Sequence, residues 1–286
     1  MNGQKGLSWL LFVLLALIWG SSFILIKIST HQLDGWQIGA VRVFSAAILF
    51  LPPALFHIGK LPKNKILIII LSGILGNLLP AFLFGLAIQK IESSVAGILN
   101  SLTPLFVIII GALFFHVKIQ SRKLIGVAIG FIGMLVLSVS KGPVFISELS
   151  YTLMILVATI LYGLNVNIVG TYLKGLDPVK MATVSIAFLI VPTSIVLWLH
   201  PVSLATEEEK RSVLAAVSLG ILGSAAATII FYTLIKKAGG LFASLVTYAI
   251  PIVAMFWGFL AKENVGLIQL GCLGIILVGV YLANRS

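Results

Sequence analysis

The chain alternates long apolar segments with short polar connections. A helix that rises 1.5 Å per residue needs about 20 apolar residues to cross roughly 30 Å of hydrocarbon. Segments of that kind lie near residues 7–29, 36–58, 64–87, 93–115, 121–140, 150–171, 178–200, 211–235, 240–261 and 265–283. The longest polar connection carries Glu207 to Arg211. The pattern predicts an all-α integral membrane protein with ten transmembrane helices.

The second half of the sequence repeats the first at a nearly fixed spacing. Trp19-Gly20 recurs 143 residues later as Tyr162-Gly163, and the sequence GILG at 73–76 recurs 147 residues later at 220–223. Each half would hold five spans, and an odd number makes the second half enter the membrane upside down. We therefore expect two inverted five-helix repeats, at residues 1–142 and 143–286.

The composition excludes an ordinary soluble domain. Hydrophobic residues make up 60% of the chain and charged residues 9%, with a mean hydropathy of +1.18. The net charge of +11 would suit nucleic acid, but the basic residues occupy the short connections between apolar segments. Such a distribution is a topology signal. We therefore expect the chain to lie in the lipid bilayer and not to bind nucleic acid.

The basic residues also orient the chain. With the N-terminus inside, the inner segments carry eleven lysines and arginines and the outer connections carry five. Cytoplasmic connections are enriched in these residues. The bias predicts that both termini are cytoplasmic.

Several short motifs resemble those of a known membrane protein family. They are Ile18–Phe23 (IWGSSF), Arg42–Phe44, Thr103-Pro104, Ile250-Pro251, Lys262-Glu263 and the glycines of the fifth and tenth spans. Together these motifs resemble the EamA-type transporters of the drug/metabolite transporter superfamily, which are built from two fused five-span units. The resemblance implies a multi-pass protein of the bacterial cytoplasmic (inner) membrane that exports or exchanges small metabolites. One departure is His116, which stands near a place where the family often has an acidic residue.

No pattern for catalysis or metal binding accompanies these spans. All eight acidic residues and all four histidines fall in connections or at span ends, so no carboxylate or histidine is placed for a mid-membrane proton relay. The single cysteine, Cys272, permits no disulfide within the chain. We expect no enzyme activity, no catalytic residues, no metal and no cofactor. Proton-coupled export of cationic drugs through a mid-span carboxylate is not expected either.

Arg42 is the one charge placed well inside a predicted span. It lies about 10 Å from the span end near Gly35, at 1.5 Å per residue. In one interpretation it is a cavity cation that receives a carboxylate or phosphate group, to which a guanidinium is suited. In the other it bonds helix carbonyls or extends towards the interface.

Uncharged polar and aromatic residues near mid-span are further candidates for a binding site. A lipid-facing amide or hydroxyl would be costly, so such groups should face protein or a wet cavity. The alternative is interhelical hydrogen bonding, worth on average about 0.6 kcal/mol per contact. The candidates for the cavity are Trp19, Ser22, Arg42, Asn77, Asn100, Tyr162, Asn165, Ser224, Thr228 and Tyr248.

Two prolines stand at matching places in the fourth and ninth spans. Pro104 and Pro251 lack an amide donor, and each should free the carbonyl four residues earlier, at Asn100 and Thr247. Matched helix breaks indicate a gating or binding region. The alternative is that the kinks only shape the bundle.

The glycine-rich fifth and tenth spans indicate close helix packing. Gly126, Gly130 and Gly133, with Gly271, Gly274 and Gly279, should form scaffold contacts. We expect the chain to work as a monomer, with a dimer through these faces as the alternative.

The sequence is most consistent with a secondary transporter. We expect it to move a small polar or zwitterionic, amino-acid-like metabolite by alternating access around a midplane cavity. The alternatives are a membrane channel and a membrane protein that modifies a lipid or metabolite.

Overall fold

The computed structural model describes residues 2–116, 125–126, 128–133, 136, 149–244, 246–263 and 266–284. Within these ranges the chain is helical and contains no strand. The α-helices are α1 Asn2–Ser29, α2 Gly35–Ile58, α3 Ile66–Gly73, α4 Leu79–Ile88, α5 Ser93–Asn100, α6 Thr103–Phe115, α7 Leu149–Tyr172, α8 Pro178–Ala187, α9 Ile190–Leu199, α10 Glu207–Ser218, α11 Ala227–Ser244, α12 Val246–Leu260 and α13 Leu267–Asn284.

Seven helical segments of the described chain are long and apolar enough to cross a membrane. They are Gly6–Ser29, Gly35–Ile58, Lys63–Ile88, Ser93–Phe115, Leu149–Tyr172, Pro178–Leu199 and Glu207–Ala238. Two shorter apolar helices follow, Val246–Leu260 and Leu267–Gly279. The predicted fifth span, near residues 121–140, lies largely outside the described residues. The fold is therefore an all-helical membrane fold.

The outer surface of the bundle is strongly apolar. Large side chains such as Trp198 (80% exposed) and Leu267 (86% exposed) point away from the protein. Exposing such an apolar surface to water is unfavourable, whereas contact with lipid tails is not. The buried side thus holds the polar groups, and the exposed side faces the bilayer.

Helix α2 and the α8–α9 segment run antiparallel to each other. Asp34, just before α2, contacts His200, just after α9. At the other end His57 contacts Thr183 near the start of α8. These contacts, at both ends of the pair, link the first half of the sequence to the second.

Side-chain caps fix where these helices begin. Asp34 accepts a hydrogen bond from the Gln37 backbone, and Asp177 accepts from the Val179 and Lys180 backbones. The hydrogen bond from the Lys180 backbone is the main reason that the pKa of Asp177 lies below its usual range. Both aspartates satisfy amides that a helix start leaves without partners.

The polar segment that begins at Glu207 is helical, which corrects its prediction as a connection. The Thr206 hydroxyl caps α10 by accepting a hydrogen bond from the Glu209 backbone amide. The Glu209 carboxylate in turn accepts one from the Thr206 backbone amide. Glutamates in a first helical turn are favoured because the N-terminus of a helix carries partial positive charge. The acidic run thus begins a helix rather than interrupting one.

Two π-helical turns interrupt the buried helices at equivalent places in the repeat. Ile74–Leu78 joins α3 to α4, and Leu219–Ala226 joins α10 to α11. Both contain part of the repeated GILG sequence. A π turn leaves the ordinary hydrogen-bond ladder and often occurs at functional sites.

The two prolines predicted to kink their helices occupy different local settings. Pro104 stands in the first turn of α6, directly after the break at 101–102, where its missing amide costs nothing. The freed Asn100 carbonyl accepts a 2.8 Å hydrogen bond from the Thr103 hydroxyl. Pro251 lies inside α12, which continues through it.

Glu263 reaches across the structure to cap α5. One carboxylate oxygen accepts from the backbone amide (3.0 Å) and hydroxyl (2.6 Å) of Ser93, and the other accepts from the Ser94 amide (2.9 Å). Burial alone would raise the pKa of Glu263, but these hydrogen bonds outweigh it and the pKa is lowered. The carboxylate therefore ties the connection after α12 to the start of α5.

Replacing Glu263 with glutamine is expected to destabilise the protein by about 1 kcal/mol, because the amide group would turn a donor towards one of the Ser93 or Ser94 donors. A depressed carboxyl pKa gives stability that is present above the unfolded value, near 4.3, and is lost as pH falls through the folded value. The difference between wild type and E263Q in thermal melts should thus shrink in acid. The exposed Glu207→Gln variant is the control and should lose less. An equal loss in both variants would contradict this assignment.

The glycine-rich faces divide into packed and open positions. A methyl group on Gly279 would meet the backbone of Gly130, and one on Gly133 would meet Ile276. Gly271 and Gly274 have open space around them. The first set holds the tenth predicted span against the described part of the fifth, whereas the second makes no such contact.

Candidate functional site

A cavity lies between the buried faces of helices from both halves of the sequence. It contains roughly 970 Å³ of empty space, including its open mouth. Most of its lining is apolar, and a few polar groups project into it, as in small-molecule binding sites. Besides the aromatic residues, the polar and charged lining residues are Ser22, Arg42, Asn77, Asn100, Thr103, Asn165, Thr228 and Thr247.

The structure brings eight of the ten predicted cavity residues to this one cavity. They are Trp19, Ser22, Arg42, Asn77, Asn100, Tyr162, Asn165 and Thr228. Ser224 stands behind the wall, where it contacts Arg42. Tyr248 is half-buried and is not part of the lining. Of the two prolines, neither lines the cavity, although Thr103 and Ile250 next to them do.

Arg42 is buried in the cavity wall without a carboxylate partner. Its Nε donates a 3.0 Å hydrogen bond to the Ser224 hydroxyl, and its guanidinium bonds the Tyr162 hydroxyl. No described carboxylate forms an ion pair with it. A guanidinium has five N–H donors, so donors remain for a further acceptor. A buried cation held by neutral groups alone favours an anionic group in the space beside it.

Two asparagine side chains present unsatisfied acceptors in the same cavity. The Oδ1 atoms of Asn100 and Asn165 are buried and have no hydrogen-bond partner within the described protein. A buried acceptor without a partner costs about 1–3 kcal/mol. These oxygens suit a ligand that donates hydrogen bonds, such as an ammonium or hydroxyl group.

Aromatic rings form two of the cavity walls. The Trp19 ring packs on Phe231 (centroids 5.1 Å apart), and the Tyr162 ring stacks on Phe84 (6.2 Å). The Trp19 indole N–H donates a 3.1 Å hydrogen bond to the Gly223 carbonyl in the second π turn. The buried indole N–H is thereby satisfied, while its ring remains available to a ligand.

The glycines of the π turns let the helices approach each other closely at the cavity. A methyl group on Gly76 would collide with the Asn165 amide, and one on Gly223 would press on the Ser22 hydroxyl. Both glycines line the cavity. Sequence reasoning missed them as site residues, although the repeated GILG motif was a visible signal.

Several proteins that are similar to this chain are named as transporters or efflux pumps. A protein of Archaeoglobus fulgidus named an uncharacterized transporter is 27% identical over 97% of this chain and 99% of its own length. The Escherichia coli uncharacterized inner membrane transporter YedA is 27% identical over 94% of this chain and 88% of its own. A Salmonella typhimurium protein named a probable amino-acid metabolite efflux pump is 27% identical over 44% of this chain and 41% of its own.

A solved crystal structure shares the fold. It is 17% identical in sequence, covers 97% of this chain and 96% of its own, and superposes with a TM-score of 0.62. Together with the long apolar helices, the names of the similar proteins indicate a multi-pass membrane transporter rather than an enzyme. The EamA-like transporter family profile matches residues 6–139 and 149–285, and the chain therefore belongs to that family.

Proposed function

We propose that this protein is a secondary transporter that carries a small zwitterionic, amino-acid-like metabolite by alternating access. The observation that carries the proposal is the cavity chemistry: one wall offers the Arg42 cation, and another offers the unsatisfied oxygens of Asn100 and Asn165. A carboxylate suits the first and an ammonium group suits the second. The name of the Salmonella relative, which covers less than half of this chain, agrees with this class of substrate.

In the proposed binding mode, the substrate carboxylate receives hydrogen bonds from the guanidinium of Arg42. Its ammonium group donates to Asn100 and Asn165 and lies near the faces of the cavity rings, which attract cations. An apolar or ring-bearing side chain would occupy the space between the Trp19–Phe231 and Tyr162–Phe84 pairs. The geometry accounts for both charges of a zwitterion.

The proposed architecture is ten spans in two inverted halves, with both termini in the cytoplasm. Several contacts that cross between the halves at the cavity come in equivalent pairs. Trp19 packs on Phe231 as Tyr162 packs on Phe84, and the repeat spacings relate the first pair to the second. Likewise Gly220 approaches the Arg42 carbonyl as Gly73 approaches that of Ser185. An arrangement of this kind allows the halves to rock about a central site.

Counterflow in proteoliposomes tests the proposed activity. Vesicles preloaded with an unlabelled amino acid would be diluted into the same amino acid in labelled form, using L-leucine, L-threonine and L-glutamate in turn. We expect a saturable, transient accumulation of label for at least one of the neutral amino acids. Linear, non-saturating flux would favour a channel. Absence of exchange for every amino acid would overturn the proposed substrate class.

Replacing Asn100 with leucine is expected to weaken apparent substrate affinity roughly tenfold, because one acceptor for the ammonium group is lost. The concentration dependence of counterflow measures the effect. Thermal stability of the empty protein should hold or rise, since the unsatisfied buried oxygen is removed.

Asn167→Leu is the matched control for this change. The Asn167 amide bonds the carbonyls of Val107 and Gly163, both at 2.9 Å, and does not line the cavity. N167L should lower the melting temperature and leave affinity near the wild-type value. The reverse pattern in the two variants would place the site elsewhere.

A further inference from the structure

The two ends of the α2 and α8–α9 pair carry equivalent aspartate and histidine residues. Asp34 and Asp177 precede α2 and α8, and His57 and His200 stand at or just beyond the far ends of α2 and α9. Both aspartates and both histidines are related by the spacing of 143 residues. Because α2 has 24 residues and is about 36 Å long at 1.5 Å per residue, the two sets lie on opposite faces of the bundle.

On the face that carries Asp34, the aspartate and histidine are in contact. One Asp34 oxygen caps α2, and the other lies 3.4 Å from Nδ1 of His200. The His200 ring stacks on Trp36, and the Gln37 amide donates a 2.8 Å hydrogen bond to the Pro201 carbonyl. This cluster joins the first half of the sequence to the second where α2 begins and α9 ends.

On the face that carries Asp177, the equivalent contact is not formed. Asp177 caps α8 with one oxygen, as Asp34 caps α2. His57, however, places Nδ1 2.8 Å from the hydroxyl of Thr183, six residues beyond Asp177. Within the described chain, no ion pair joins His57 to Asp177. The matched contacts at the cavity are formed in both halves, whereas this end-of-helix contact is formed on one face.

A second polar contact between the halves also lacks an equivalent. Glu263 caps α5 with hydrogen bonds to Ser93 and Ser94. The position that the 147-residue spacing relates to Glu263 is His116, so the carboxylate has no equivalent in the first half. One face of the bundle is thus held across the halves by an additional ionisable group.

We propose that Asp34–His200 and Asp177–His57 are equivalent latches that form alternately, one on each face, as the cavity opens to one side and then the other. The proposal rests on the proposed transport function. When two halves rock about a central site, shortening the distance at one end of an antiparallel helix pair lengthens it at the other. In this structure His200 contacts Asp34, so that latch is formed, whereas His57 contacts Thr183 of α8 instead of Asp177.

Accessibility of the cavity to a thiol reagent tests the latches without knowledge of the substrate. In a C272S background, V166C places a reporter in the apolar cavity lining. A membrane-impermeant maleimide would be added to right-side-out and to inverted membrane vesicles, so that labelling from each face is measured separately. The latch variants are H200A and H57A, and H31A is the control, since His31 is exposed and belongs to neither latch.

The two latch variants should shift labelling in opposite directions. H200A should raise labelling from the Asp34 face relative to the other face by roughly two- to fivefold, the range for losing one exposed polar pair. H57A should lower that ratio, and H31A should leave it unchanged. A shift in the same direction for both latch variants, or in neither, would overturn the proposal.

Disulfide trapping is a second test that does not depend on the size of the population shift. Oxidised D34C/H200C should block reporter labelling from the Asp34 face alone, and oxidised H57C/D177C should block it from the opposite face alone. Counterflow measured on the same preparations separates the two proposals. Opposite labelling shifts without amino-acid exchange would refute the substrate class and leave the latches standing. Exchange without those shifts would refute the latches and leave the function standing.

Discussion

Arg42→Met is expected to weaken apparent affinity for a zwitterionic substrate by roughly 30-fold or more, the cost of removing one partner from a buried charge pair. The thermal stability of the empty protein should not fall, because no described carboxylate pairs with Arg42 and its bonds to the neutral Ser224 and Tyr162 hydroxyls compensate its desolvation only in part. Counterflow at several substrate concentrations and a melt in detergent measure the two effects. Weaker affinity without a lower melting temperature would show that Arg42 acts in substrate binding rather than in stabilising the fold.

Two further variants sharpen the test of Arg42. Arg42→Lys keeps the charge but lacks the planar fork that bonds a carboxylate at two points, so it should lie between wild type and R42M. Lys27→Met removes another cation, one outside the cavity lining, and should leave affinity near the wild-type value. If R42M melts well below wild type and transports with unchanged affinity, Arg42 is a structural residue.

Alanine at Gly220 is expected to destabilise the fold by about 1–3 kcal/mol, the usual cost of overpacking. Its methyl group would collide with the backbone carbonyl of Arg42, which cannot rotate away. Gly73→Ala should cost a similar amount, since its methyl group would meet the carbonyl of Ser185. Melting temperature and the yield of monodisperse protein measure the change.

Gly170→Ala is the control for these two substitutions. Gly170 is an exposed position of α7 with open space around it, so alanine should be neutral or stabilise the helix by up to about 1 kcal/mol. Equal behaviour of all three variants would mean that the close approach between halves contributes little to stability.

The cavity was predictable from the sequence because lipid restricts where polar groups stand. A mid-span amide or guanidinium is costly against lipid and is therefore expected to face protein or a cavity. Arg42, Asn77, Asn100 and Asn165 all line the cavity. Tyr248 and Ser224 were harder to place. Depth along a helix follows from sequence position, whereas the face a residue presents depends on helix rotation, which packing decides.

The helix irregularities were not predictable in the same way. The GILG segments are apolar with glycines and fit an ordinary α-helix, so nothing local requires a π turn. The cap on α5 was also invisible, because Glu263 lies 170 residues from Ser93. The Asp–His pairs are different: His57 and His200 share the spacing of Asp34 and Asp177, and that signal was present in the sequence.

The matched π turns bear on how the cavity is assembled. A π turn is rare within a helix, and both halves of the sequence carry one in corresponding segments. In each turn a glycine meets a side chain supplied by the opposite half: Gly76 meets Asn165, and Gly223 meets Ser22. Because residues of both halves line the cavity, neither half of the sequence would enclose it alone.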